Sequence, residues 1–199
     1  SGRISIVNEK KSLLKHDHID ICFNVNGNKK ILRYNDTRRF GAMIWTDDNP
    51  SNHKLIATLG PEPLSDEFNA DYLYEIVKRK KQPIKSTIMD SHSVVGVGNI
   101  YASESLFLAS IRPQRRSQKI KKKEISILVD SIKMVIQKAI ERGGSTLNDF
   151  FSVNGQSGYF QNEHNVYGRE NESCNKCEGR IYQLRIAQRS SFYCKRCQV

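Results

Sequence analysis

Two cysteine pairs, "CNKC" (Cys174, Cys177) and "CKRC" (Cys194, Cys197), stand near the end of the chain. Each Cys-x2-Cys pair fits a tight turn. The spacer between the pairs falls in the range of a four-thiolate zinc ribbon, in which two such turns supply a tetrahedron of sulfurs. The same residues can also form two local redox pairs or disulfides. A basic composition and no visible secretion signal favour a reducing compartment, and with it the metal. A second stretch, "VVGVGNIYASES" (94–105), places Gly96 and Gly98 just before Asn99. A dinucleotide-binding turn needs a third glycine where Tyr101 stands, and it needs a strand where the preceding segment reads as helix, so that chemistry is excluded. What survives is a sharp turn, an asparagine able to cap, and free N–H groups at a helix start, which together suit an anion. The competing reading is an ordinary Asn-capped helix after a turn.

Charge decides between them. Downstream, "RPQRRSQKIKKK" carries Arg112, Arg115, Arg116, Lys119, Lys121, Lys122 and Lys123 without one acid; upstream, "KRKKQPIK" adds Lys78, Arg79, Lys80, Lys81 and Lys85. Such runs are often solvated faces. Flanking a candidate anion turn and lying beside a basic cysteine hairpin, they fit contact with a phosphate backbone better. "TRRFGA" puts Arg38 and Arg39 next to Phe40, an aromatic able to wedge into a base stack, though a buried phenylalanine between surface arginines is the simpler arrangement.

The elements that must position these residues follow from length and period. The chain has 199 residues, 32 Lys and Arg against 21 Asp and Glu, a net charge of +11 and 38% hydrophobic residues, enough for a folded core in one domain or two small ones. The excess of positive charge favours polyanions, nucleic acid before anionic membrane, and no apolar run reaches the length of a membrane span. In "HIDICFNV" Ile19, Ile21, Phe23 and Val25 alternate with polar residues and Cys22, "NGN" supplies a turn, and "KKILRY" returns as the partner of a hairpin. "FGAMIW" is a further strand candidate, and Cys22 is a small core or surface residue. "LGPEPLSDEF" breaks the β pattern near Gly60. Helices are expected through "NADYLYEIVKRKK", capped by Ser65 or Asp66, through "IKSTIMD", and from Asn99 onward. The clearest helix carries Ile125, Leu128, Val129, Ile132, Val135, Ile136, Ala139 and Ile140 on one stripe and ends at Gly143–Gly144. The long, weakly periodic "STLNDFFSVNGQSGYFQNEHNVYG" reads as a functional loop.

In this order, "KHDHIDI", "RYNDTRRFGA", "LGPEPLSDEF", "IKSTIMD", "VVGVGNIYASESLF", "GGSTLNDF", "GYFQ", "VYGRE" and "AQRSSFYCKRC" resemble the formamidopyrimidine-DNA glycosylases of bacterial base-excision repair, over essentially the whole chain. The resemblance implies an α+β fold: a partial β-sandwich over 1–58, a helical helix–two-turn–helix domain over 59–142, a lesion-capping loop over 143–167 and a four-cysteine zinc finger over 168–199. It implies flipping and excision of an oxidised purine such as 8-oxoguanine or a formamidopyrimidine. An amine then forms a Schiff base at the sugar, opening the way to β- and δ-elimination. By similarity His16, Arg38, Arg39 and Lys81 contact DNA, Arg38 and Phe40 fill or wedge the gap left by the flipped base, and Lys85 and Asn99 hold phosphates at the lesion. Arg189 matches the arginine assigned to δ-elimination. One structural Zn2+ on Cys174, Cys177, Cys194 and Cys197 fixes the hairpin that carries it.

The family's nucleophile, an N-terminal proline followed by a glutamate, has no counterpart here; "SGRISI" resembles a later stretch of the family. The expectation is therefore an enzyme in the whole protein and little or no lyase turnover in these residues. Two alternatives remain at this point: a zinc-dependent DNA-binding module without catalysis, and an endonuclease VIII-type glycosylase acting on oxidised pyrimidines. The expected partner is double-stranded DNA with an oxidised base or abasic site, not a membrane. The implied setting is a monomeric whole protein in the bacterial cytoplasm, associated with the nucleoid.

Overall fold

The computed structural model describes residues 2–8, 11–143 and 164–199. These fall into two compact units, one within residues 1–47, the other formed by Asp48–Glu141 together with the C-terminal segment to Val199. Of the loop expected over 143–167 to cap a lesion, residues 144–163 lie outside the described residues.

The first unit is a three-stranded antiparallel sheet, β1 (Gly2–Asn8), β2 (Asp17–Val25) and β3 (Asn28–Asp36), in the order β1-β3-β2. Asn26 and Gly27 both adopt positive φ (50° and 78°), the backbone that a tight two-residue hairpin needs and that Asn-Gly reaches at little cost. Register puts Ile4, Tyr34 and Ile19 in one row and Ile6, Leu32 and Ile21 in the next. Ile4, Ile6 and Ile21 are exposed on that face, whereas Val7, Ile31, Arg33 and Asn35 are buried. Expected as a strand, "FGAMIW" is irregular: among the described residues no strand pairs with it, and Phe40, Met43, Ile44 and Trp45 are exposed.

In the second unit the core is helical. Helices α1 (Ala70–Val77), α2 (Ile84–Ile88), α3 (Asn99–Leu108) and α4 (Lys122–Glu141) enclose Phe68, Leu73, Ile84, Ile88, Leu106, Ile111, Ile125, Leu128 and Ile132, all at most 1% exposed. Neither Ser65 nor Asp66 caps α1. Asn69 does, accepting from the Tyr72 amide while donating to Asp66 O, and the helix stops at Val77, well before the end of the basic run. The apolar stripe of α4 is buried as its spacing predicts except at Ile140, which is 60% exposed in the last turn. Gly143 at φ 72° follows in the left-handed conformation of a helix stop. Gly60 donates its amide to Ser91 O and lies against the Ser93 backbone so closely that an added Cβ would sit 2.6 Å from Ser93 C. Only glycine fits there, and that close approach ties the "LGPEP" segment to the turn before α3.

Strands β4 (Ile181–Ile186) and β5 (Arg189–Cys194) form a hairpin packed on the helical core. Phe107 of α3 joins Val166, Ile181 and Phe192 in a second apolar cluster that includes Cys174 and Cys194. The buried Gln198 side chain locks the end of the chain in place, accepting from Cys194 N (2.9 Å) and donating to Ile111 O (2.7 Å).

Candidate nucleic-acid interface and metal centre

The sulfurs of Cys174, Cys177, Cys194 and Cys197 all lie within 4.8 Å of one another, with Cys174–Cys197 at 3.8 Å and Cys177–Cys194 at 3.5 Å. Four thiolates at about 2.3 Å from a tetrahedral zinc stand about 3.8 Å apart, so the cluster has the size of a zinc site and is too spread for paired disulfides. The Lys176 amide points at Cys174 Sγ (3.5 Å), supplying the backbone dipole that favours a thiolate there. Burial and hydrogen bonds from the neighbouring thiols push the Cys197 thiol well above its ordinary range. A cation placed among the sulfurs reverses that preference.

The hairpin carries Arg189 at its tip. Ala187 and Gln188 form its two-residue turn with φ 45° and 66°, a left-handed conformation costing about 1–2 kcal/mol per non-glycine residue. The cluster at the base and the apolar packing beneath hold that strain, and Arg189 is exposed beside the turn. Lys85, on α2, is only 1% exposed. Its Nζ donates to Ser190 O (3.0 Å) and Ser191 Oγ (2.8 Å), so the helix and the hairpin meet through this ammonium. With Ser86, Met89, Asp90, Ile186, Ala187 and Arg189 it lines a cavity of about 200 Å³. Among the described residues no carboxylate pairs with Lys85; Asp90 is engaged by Lys80 (2.7 Å) and His92 (3.0 Å), its pKa drawn down to about 2, chiefly by the hydrogen bond from Lys80. Burial, and then the Arg189 charge, lower the Lys85 pKa to about 7. Two basic groups, Lys85 and Arg189, thus line one small cavity, and the one carboxylate that also lines it, Asp90, is engaged by Lys80 and His92.

The glycine turn behaves as its spacing suggests, with one correction. Gly96 is left-handed (φ 73°) and Gly98 is the N-cap of α3, so Asn99 is the first helical residue rather than the cap. Its Nδ2 donates instead to the Tyr167 hydroxyl (3.2 Å). Lys81 is exposed just ahead of α2.

In the first unit, His16 sits at φ 77° in the turn leading into β2, its carbonyl accepting from Asp36 N (3.0 Å). Asp36 then shapes the following loop: its carboxylate accepts from Arg38 N (3.2 Å), Gly41 N (2.9 Å) and the Tyr34 hydroxyl (3.0 Å). Arg39 is left-handed (φ 56°) and exposed, and Arg38 lies over the Phe40 ring at 5.2 Å. Phe40 is 82% exposed, not buried between its arginines.

Several residues that shape these elements carried no motif. Arg33, buried in β3, makes a paired contact with Asp20 (2.8 Å to each oxygen) and reaches the carbonyls of Lys11 and Ser12, pinning the His16 turn. The basic run after α3 divides in two. Arg112 binds Gln198 O and Lys195 O, and Arg115 grips Glu124 (2.6 and 2.9 Å), so these two brace the end of the chain rather than face a polyanion. Glu104 was legible only as a lone acid inside the small and apolar "YASESLFLA".

Residues 59–151 match the formamidopyrimidine-DNA glycosylase H2TH domain. The chain is 49% identical to the formamidopyrimidine-DNA glycosylase of Haemophilus influenzae (strain 86-028NP) over 198 residues, all of this chain and 72% of that protein. It is also 49% identical to the Neisseria meningitidis enzyme over 184 residues, 92% of this chain and 66% of the relative's length. A solved complex between the Lactococcus lactis Fpg and an abasic site containing DNA superposes with a TM-score of 0.87 at 31% identity, covering 99% of this chain and 71% of that one. A structure of MutM in complex with carbocyclic 8-oxo-G containing DNA gives 0.86 at 32% identity, with 99% and 71% coverage. By these likenesses over the whole of its length, the chain belongs to the formamidopyrimidine-DNA glycosylase family.

Proposed function

We propose that this chain grips damaged duplex DNA by its backbone and serves base-excision repair of oxidised purines, such as 8-oxoguanine and formamidopyrimidines. The observation that carries this reading is the cavity between α2 and the hairpin, lined by buried Lys85, which has no carboxylate partner among the described residues, and by exposed Arg189. Related proteins have been solved on abasic, 8-oxo-G and Fapy-dG containing DNA. In this reading Lys85 and Asn99 hold phosphates, His16, Arg39 and Lys81 extend the backbone contact, and Arg38 with its partner ring Phe40 occupies the space of an extruded base. Zinc held by the four cysteines is structural: it sets the hairpin so that Arg189 reaches the DNA.

Strand cleavage belongs to the same proposal. An amine adds to the C1′ aldehyde of the abasic sugar and loses water, giving an imine whose formation acidifies the neighbouring C–H and permits elimination. Arg189 is the group proposed to assist the second elimination. The family's proline nucleophile has no counterpart in residues 1–199. These residues are therefore expected to bind an abasic duplex about tenfold more tightly than an intact one, and to give no covalent adduct when borohydride is added. Equal affinity for both duplexes contradicts the DNA-damage reading. A trapped adduct assigns the nucleophile to an amine within these residues, Ser1 or a lysine such as Lys85.

A further inference from the structure

Asp36, the last residue of β3, is 1% exposed, and its side chain organises the loop that follows. A buried carboxylate persists only where its oxygens find donors. Here Oδ1 accepts from Arg38 N (3.2 Å), while Oδ2 accepts from Gly41 N (2.9 Å) and the Tyr34 hydroxyl (3.0 Å). The two amides lie on either side of Arg39, whose φ of 56° is strained for a residue with a Cβ. One side chain thus brackets the strained position and closes residues 36–41 into a tight loop. The Tyr34 ring leaves no room at Gly41, where an added Cβ would stand 1.9 Å from the hydroxyl. What the loop presents is an apolar ring: Phe40 is 82% exposed, with the Arg38 guanidinium 5.2 Å from its centroid. The backbone of Asp36 is engaged separately. Its N–H donates to His16 O (3.0 Å) and its carbonyl accepts from His18 Nε2 (2.8 Å), so a change of the side chain alone leaves the His16 turn its partners.

We propose that Asp36 is a positioning residue for lesion recognition: its buried carboxylate prefolds the 38–41 loop, so that Arg38 and Phe40 stand ready to enter the space of an extruded base. The inference rests on reading those two residues as the wedge. A ring on a slack loop must be ordered as it enters the base stack, and that loss of freedom is subtracted from affinity. The cost arises only on a duplex with a gap to fill. An intact duplex, held by its backbone, offers the ring no such place. Asp36 therefore sharpens the preference for damaged DNA rather than the hold on DNA in general.

The test is equilibrium binding of the full chain to abasic and intact duplexes, with melting temperature recorded alongside. Asp36→Asn replaces one carboxylate oxygen by an NH2, so either Arg38 N or Gly41 N loses its acceptor. Affinity for the abasic duplex is expected to fall about fivefold, while affinity for the intact duplex changes by less than about twofold. Phe40→Ala is expected to give the same pattern. In the Phe40→Ala background, Asp36→Asn is expected to change abasic-duplex affinity by less than about twofold, because the ring it positions is gone. Gly41→Ala drives a methyl into the Tyr34 hydroxyl and opens the same loop from its other end; the same selective loss is expected, and it keeps the proposal testable if Asp36→Asn does not fold. Equal losses on both duplexes, a full fivefold loss in the Phe40→Ala background, or an unchanged abasic preference in both Asp36→Asn and Gly41→Ala overturns the positioning role. Should Phe40→Ala itself keep the native preference, the wedge reading fails, and this inference falls with it.

Discussion

Lys85→Met is expected to make the protein more stable while weakening its hold on DNA about a hundredfold near neutral pH. The two effects have one cause. In the free protein the ammonium is buried among Ser190, Ser191 and Arg189 with no carboxylate partner among the described residues, so folding removes water from a charge and returns only two hydrogen bonds. An isosteric thioether fills the same space without that cost, and it offers a phosphate nothing. The pH dependence separates this account from a general loss of affinity. Burial and the Arg189 charge bring Lys85 from its ordinary 10.5 to about 7 in the folded state. The unfolded chain therefore binds the extra proton between those values, and this group makes stability rise with pH from about 7 towards 10.5. Below about 7 both states carry the charge and the full penalty stays. A phosphate in the cavity favours the ammonium, so DNA binding above neutral pH takes up a proton and affinity falls as pH rises from about 7. Chemical melting and equilibrium binding across pH 6 to 10 check both slopes. Lys85→Met is expected to flatten each one.

Cys194→Ser is expected to be more severe. Cys194 is fully buried in the cluster formed by Phe107, Val166, Ile181 and Phe192, and its backbone amide is the donor to Gln198 Oε1. Losing one of four thiolates is expected to release the zinc proposed for this cluster, and for small zinc modules metal binding and folding are one equilibrium worth about 10–16 kcal/mol. The left-handed Ala187–Gln188 turn then loses its support, and Arg189, Ser190 and Ser191 leave Lys85. DNA affinity is expected to fall by more than about a hundredfold, with metal analysis showing an empty chain. The helical core is a separate apolar cluster around Leu73, Ile88, Leu106 and Leu128, so most of the far-ultraviolet helical signal is expected to survive. Complete loss of that signal would show that the hairpin is needed for the whole unit to fold.

Local pattern carried much of this molecule. The Asn-Gly turn, the α4 stripe and the Cys-x2-Cys pairs each encode their own geometry within a few residues, and each stands where its spacing puts it. Contacts between distant segments carried no such signal. Arg112 and Arg115 read as part of a polyanion-binding run, but their partners are the end of the chain and Glu124, which no periodicity links to them. Lys85 stood in a basic stretch like its neighbours, and only the fold shows that it is buried against residues more than a hundred positions away while Lys81 stays exposed. "FGAMIW" had strand composition without a strand to pair with among the described residues, and composition cannot report a missing partner. Glu104 is the sharpest case: a lone acid on a buried helix signals an obligatory partner, but nothing in its own segment names residues 165–167, whose backbone N–H groups donate to its carboxylate.

The central claim is that the Lys85–Arg189 cavity holds a backbone phosphate of damaged DNA. Its most direct test is binding of abasic duplexes in which single phosphates around the lesion are replaced by uncharged methylphosphonates, for the native chain and for Lys85→Met. The account predicts one position near the lesion where neutralisation weakens native binding at least about tenfold and has almost no effect on the variant. Should every position weaken both proteins equally, the cavity is not where the phosphate sits.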